Sequence, residues 1–236
     1  MAFVFCTFAI KKNNRYMNLI VFDIDGTMTL SEQHHLGAFQ DAMNGVGVMN
    51  IDDDWKSYKH ITDTHIFKHN YIAQFGHEPD EDTLALLEEL LLDSIQEFVS
   101  PLEMPGAKQI VNTVKAHPNY AFAYATGSLY TPAQYKLDET GIHYHQDILI
   151  GANGFDSREE IVNAAIEAAK KYHRVDHFDK IISAGDGLWD LQTAKNLELL
   201  FLGIGAKNMD AFTDLGAKYC EENWLEIDME YLDGVL

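Results

Sequence analysis

Five short apolar runs, each stopped by a glycine-containing turn, constrain this chain more than anything else in it. They are NLIVFD at 18–23, ending in DIDGT, YAFAYA at 120–125, DILI at 147–150, KIISA at 180–184 and LLFLGI at 199–204. A continuous apolar run too short for a buried helix reads as a strand covered on both faces, as in a parallel sheet. Helical stretches lie between the runs. One, 105–116, opens with Pro105 near its first turn, and another, 157–171, opens with Ser157 and Glu160 in capping-box spacing. Strands and helices alternating at this spacing predict an α/β fold built on a doubly wound parallel sheet.

One region breaks the alternation. Between about 31 and 100 the pattern is helical throughout, most clearly where Leu84, Leu87, Leu91, Ile95 and Phe98 fall three or four residues apart behind Asp80 or Asp82 as a cap. Residues 34–44 and 57–75 also read as helical, with Asp52, Asp53 and Asp54 as a solvated cap at a helix start. The expectation is an all-helical lid over 31–100, closing on a core made of 17–30 and 101–236. Residues 1–16 are set outside the fold as an extension. Their apolar stretch precedes Lys11, Lys12 and Arg15 rather than following them, the reverse of a secretory signal.

The charge narrows the partners. With 37 acidic and 17 basic side chains among 236 residues, the chain carries a formal charge of −20. Such a field repels phosphate, which argues against nucleic acid or an anionic membrane as partner. A small phosphorylated metabolite stays open if a cation neutralises it at the site. Cys6 and Cys220 form no framework, so a reducing cytoplasm is expected, and no apolar run approaches 18 residues.

In an open parallel sheet, ligands bind beyond the carboxyl ends of the strands. Three polar signatures fall there: Asp23-Ile24-Asp25-Gly26-Thr27, Thr126-Gly127-Ser128 and Gly185-Asp186-Gly187-Leu188-Trp189-Asp190. If their strands are neighbours, Asp23, Asp25 and Asp186 crowd together, and a bound cation relieves that repulsion. Oxygen donors with no His or Cys suit Mg²⁺.

These signatures, in this order and with a helical insert after the first, resemble the haloacid dehalogenase superfamily, in its phosphatase-type branch with a helical C1 cap. The resemblance runs from about 18 to 205. It implies that Asp23 is the nucleophile and that Asp25 is the general acid and base, with its backbone carbonyl on Mg²⁺. It further implies that Thr126 and the Gly127 amide hold a phosphoryl oxygen. Asp186 then ligates the metal, and Asp190 orients Asp186 or a metal-bound water. The superfamily usually carries a Lys between the second and last signatures. Of Lys170, Lys171, Lys180 and Arg158, the three lysines sit about 15–18 Å from the carboxyl edge, at the far ends of a strand or helix. Arg158, in the first turn of its helix, is taken as the replacement that reaches the phosphate and Asp23.

Plainer readings stand beside these. Asp25-Gly26 and Gly185-Asp186-Gly187 also suit simple turns, and Arg158 also suits a solvated first turn. His65 and His69 are spaced i, i+4 like a zinc pair, but without an identifiable third ligand the lid histidines read as surface or substrate contacts. The expected activity is Mg²⁺-dependent hydrolysis of a small phosphomonoester through an aspartyl-phosphate. The alternatives are a phosphomutase of the same fold and a HAD-like binding protein with a retired site. A hydrolytic dehalogenase fits poorly, because such enzymes lack the second aspartate. Neither the substrate nor the oligomeric state is legible.

Overall fold

β1 (Asn18–Phe22) is the middle of the molecule. In the computed structural model, which describes residues 16–55, 57–97 and 100–236, it pairs in parallel with β2 (Tyr120–Ala125) on one side and β4 (Ile181–Gly185) on the other. β3 (Leu149–Ile150) lies outside β2. β5 (Leu200–Ile204) and β6 (Cys220–Glu221) follow β4, giving the order β3-β2-β1-β4-β5-β6, all parallel. Every residue of β1 and β2 is buried, which requires cover on both faces and accounts for their unbroken apolarity.

The insert between β1 and β2 is helical where described: α1 (Glu32–Gly45), α2 (Asp63–Phe75) and α3 (Glu81–Glu97). The residues 57–62 expected to open α2 instead form turns, and Thr62 caps the helix by accepting from the His65 amide. The Asp52 side chain accepts from the Asp54 amide and the Ser57 hydroxyl, so this acidic run makes a turn rather than a helix cap. Asp80 begins α3, accepting from the Thr83 amide at 2.8 Å. Leu87, Leu91 and Ile95 point into a hydrophobic cluster of the insert's own, shared with Phe39, Met43, Phe67 and, from the core, Leu129. Phe98 and Cys6 lie outside the described residues.

The remaining helices are α4 (Ala107–Ala116), α5 (Tyr130–Thr140), α6 (Arg158–His173), α7 (Leu188–Asn196), α8 (Met209–Asp214) and α9 (Met229–Val235). The Ser157–Glu160 capping box at the head of α6 forms as expected. β3 is shorter than the run predicts, because residues 146–148 tighten into a 3₁₀ turn before it. The C-terminal segment carries a feature missed in the sequence. Buried Trp224 donates its indole N–H to the Thr27 carbonyl at 2.8 Å, bracing the loop after β1 from beneath. None of the described helices is long and apolar enough to cross a membrane.

Candidate active site

Strand register assembles the site. Phe22 pairs with Tyr124 on one side and Ala184 on the other, so Asp23 emerges beside Ala125 and Gly185. One residue further along the flanking strands come Thr126 and Asp186. β1 is also where the chain's strand order reverses, opening the crevice that α/β sheets use for ligands. The turn after β1 is tight enough to demand glycine. Gly26 has φ of +82°, and a Cβ there would lie 2.3 Å from Asp186 Oδ2.

Three buried carboxylates converge: Asp23, Asp186 and Asp190, each offering an oxygen within 4.8 Å of the others. This corrects the expected trio, since Asp190 takes the place of Asp25. Its position follows from α7, whose first turn turns Asp190 back so that it accepts from the Gly187 amide at 3.0 Å. Arg158 enters from the head of α6. Its Nη1 donates to Asp23 Oδ1 at 2.9 Å and to Asp190 Oδ1 at 3.2 Å, so it does reach the nucleophile candidate. Lys170, Lys171 and Lys180 make no contact with this cluster. Thr126 is buried at the loop after β2, its hydroxyl accepting from the Ser128 amide and keeping its own proton to donate.

Burial pushes Asp186 up to about 9, with Asp23 and Asp190 adding to the effect. Burial likewise raises Asp23, and Arg158 brings it only part of the way back, to about 7. Asp190 is raised for the same reason, against the pull of Arg158. Burial also works against the charge on Arg158, but Asp190 and Asp23 more than reverse it, so the guanidinium is cationic. One guanidinium against three buried carboxylates leaves a deficit of positive charge.

Asp25 faces another way. Its carboxylate accepts from Lys136 Nζ at 2.7 and 2.8 Å and from the Ser31 hydroxyl at 2.5 Å. Burial alone would raise its carboxyl, but Lys136, His35 and the Ser31 hydroxyl together outweigh that and hold it at about 2. Asp25, expected to crowd with Asp23 and Asp186, is instead paired with Lys136.

Lys136 itself is only 1% exposed and was overlooked, though it falls between the second and last signatures. The signal was present: α5 buries Ala133, Lys136, Leu137 and Thr140, and a lysine on that stripe needs a partner. Its Nζ also approaches His35 Nδ1 at 3.0 Å, while His35 Nε2 meets Asp63 Oδ1 at 2.9 Å. An ammonium has no lone pair, so Nδ1 must accept and Nε2 must donate. Of the insert's histidines, His35 is thus tied to the site. His65 stacks edge-on against His60, and His69 against Tyr58.

A family model for haloacid dehalogenase-like hydrolases matches residues 17–198. The chain belongs to this family. The tyrosine-protein kinases PtkA of Mycobacterium bovis and Mycobacterium tuberculosis are 23% identical over 203 residues, spanning 81% of this chain but 64% of their own length. Among solved structures, CbbY from Rhodobacter sphaeroides in complex with phosphate superposes with a TM-score of 0.67 at 16% identity, over 92% of this chain and 99% of its own. The β-phosphoglucomutase of Clostridium difficile gives 0.64 at 19% identity, over 93% and 96%. These likenesses establish the HAD-like α/β fold.

Proposed function

We propose that this HAD-like hydrolase is a Mg²⁺-dependent phosphatase that cleaves a small phosphomonoester through a phosphorylated Asp23. The observation that carries the reading is Asp23 at the end of β1, 2.9 Å from a buried guanidinium and inside a cluster of three carboxylates. Three buried carboxylates answered by one cation, with hard oxygen donors only, fit a Mg²⁺ site. Asp23, Asp186 and the Asp25 backbone carbonyl would hold the ion, and Asp190 would stand behind them. Bound there, Mg²⁺ supplies the charge neutralisation that a phosphate dianion needs in so acidic a protein.

Asp23 attacks phosphorus as the bond to the leaving oxygen breaks, while Arg158 and the Thr126 hydroxyl hold the phosphoryl oxygens. Asp25, once parted from Lys136 and protonated from solvent, gives its proton to the leaving oxygen, which departs as the alcohol. Water then attacks phosphorus, Asp25 takes the water's proton, and the bond to Asp23 breaks to release inorganic phosphate. Asp25 beside Lys136 is a carboxylate, the form that serves this second half. To act first as an acid it must part from Lys136 and take up a proton. The helical insert is read as a C1-type cap that keeps bulk water from Asp23, which is 5% exposed.

A screen of phosphorylated metabolites with purified protein tests the proposal. Phosphate release should require Mg²⁺ and vanish in Asp23→Asn; release that survives exhaustive chelation contradicts it. The seclusion of Asp23 keeps a phosphomutase as the second reading, since a mutase must shield its phosphoenzyme from water. Isomerisation of a sugar monophosphate primed by its bisphosphate would reveal it.

A further inference from the structure

One of the seams between the insert and the core runs past the Arg158 guanidinium. Residues 61–64 lead into α2 and bond to the loops after β2 and β3. The Asp63 amide donates to the Gly127 carbonyl at 2.8 Å, and Asp63 Oδ2 accepts from the Leu129 amide at 2.9 Å. The Thr62 hydroxyl donates to the Asp156 carbonyl at 2.9 Å, and the Thr64 hydroxyl to the Ala152 carbonyl at 2.6 Å. Within this seam the Ile61 carbonyl accepts from Arg158 Nε at 3.1 Å.

Gly127 marks the meeting point. A Cβ on it would lie 2.8 Å from the Ile61 oxygen and 2.9 Å from Arg158 Nη2, so phosphate loop, insert backbone and guanidinium share one small space. On its other side the guanidinium lies 5.9 Å from the Trp189 ring. Its nitrogens are thus divided: Nη1 serves Asp23 and Asp190, Nε serves the insert, and Nη2 has no partner among the described residues. Nη2 is the nitrogen left for a phosphoryl oxygen. A lysine at 158 would supply the charge but not a fork with one tine fixed by the insert.

We propose that the 61–64 segment of the insert is a positioning element for phosphate binding: the Ile61 carbonyl, held in place by Thr62, Asp63 and Thr64, sets the plane of the Arg158 guanidinium. The inference rests on Arg158 binding the phosphoryl group, as in the reading above. It accounts for arginine at this position, because the docked insert reads the Nε–H that lysine lacks.

Titration calorimetry of the Mg²⁺-loaded full chain with inorganic phosphate tests it without turnover. Thr64→Val removes a seam hydrogen bond and touches neither Arg158 nor the carboxylates. It should weaken phosphate roughly fivefold, the worth of about one hydrogen bond. In an Arg158→Lys background the same change should cost less than about 1.5-fold, because its target is already gone. Equal weakening in both backgrounds overturns the proposal, since a general loosening of the fold makes no distinction between Arg and Lys. The Arg158 Nε–H resonance gives a second readout, needed if Arg158→Lys does not fold. Its exchange with water should quicken in Thr64→Val, and unchanged exchange overturns the proposal. Failure of the wild type to bind inorganic phosphate at all overturns the phosphatase reading, and this inference with it.

Discussion

Lys136 is the residue that most changes the reading of the site. A buried ammonium in contact with Asp25, His35 and Ser128 makes Asp25 an anion held by its neighbours rather than an acid crowded by carboxylates. Removing one partner of a buried pair leaves an uncompensated charge, whereas removing both leaves none. Lys136→Met should therefore cost about 3–5 kcal/mol in denaturant unfolding, and adding Asp25→Asn should recover a large part of it. If the double variant is as unstable as the sum of the two single ones, the pair is not the source of the loss. Asp25→Asn alone should leave phosphorylation of Asp23 by an aryl phosphate nearly intact, since a phenolate departs with little help. It should slow release of inorganic phosphate by about 10²-fold or more, the usual worth of a general base. Rapid-quench measurement of the phosphoenzyme separates the two steps. A first step slowed as much as the second would make Asp25 a scaffold instead.

Among the elements, the insert has a core of its own. Leu87 and Leu91 of α3 are fully buried in a cluster that includes Phe39 and Phe67 but no residue of the sheet. Leu91→Ala should cost about 2–5 kcal/mol, as deletions at well-packed leucines do. Because the sheet's cluster is separate, the loss should fall on the insert. Amide exchange should quicken across α1 to α3 and stay slow in β1 and β2. Equal acceleration in the central strands would show that the two clusters unfold as one unit. Leu129 bridges the arrangement, as a core residue in the loop after β2 that packs into the insert's cluster.

The whole molecule carries −20 and turns three of its buried carboxylates toward one another. Asp186, raised to about 9, and Asp23, raised to about 7, hold protons in the metal-free fold that the unfolded chain releases near its ordinary carboxyl range. The folded state therefore binds more protons over this interval. Stability contributed by these groups is present at low pH and is lost as pH rises through about 7 to 9. A divalent cation competes for the same oxygens, so saturating Mg²⁺ should flatten the decline, and apparent Mg²⁺ affinity should rise with pH over that window. Melting temperatures at pH 6 and pH 9, in chelator and in Mg²⁺, check both. A metal-free protein that gains stability over this interval, relative to the Mg²⁺ sample, would contradict the assignment.

What the sequence determined by itself is whatever depends on neighbours along the chain. Short apolar runs bounded by glycine turns read as strands buried on both faces. Their glycine turns then put Asp23, Thr126 and Asp186 at one edge of a parallel sheet, and the Ser157–Glu160 box sets Arg158 at a helix start facing that edge. Periodicity also marked α1 and α3 as helical. What only the tertiary structure decided is the direction of side chains between segments far apart in sequence. Asp25 meets Lys136 across 111 residues, and Arg158 meets Ile61 across 97. No local pattern encodes either pairing: the first joins the loop after β1 to α5 within the core, and the second joins the core to the insert. Asp190 replaced Asp25 in the carboxylate cluster because the first turn of α7 curls it back over Gly187, and Trp224 came from a C-terminal stretch with no signature at all. Helix and strand follow from repeating local geometry, whereas the charges that define this site are set by contacts between segments far apart in the chain.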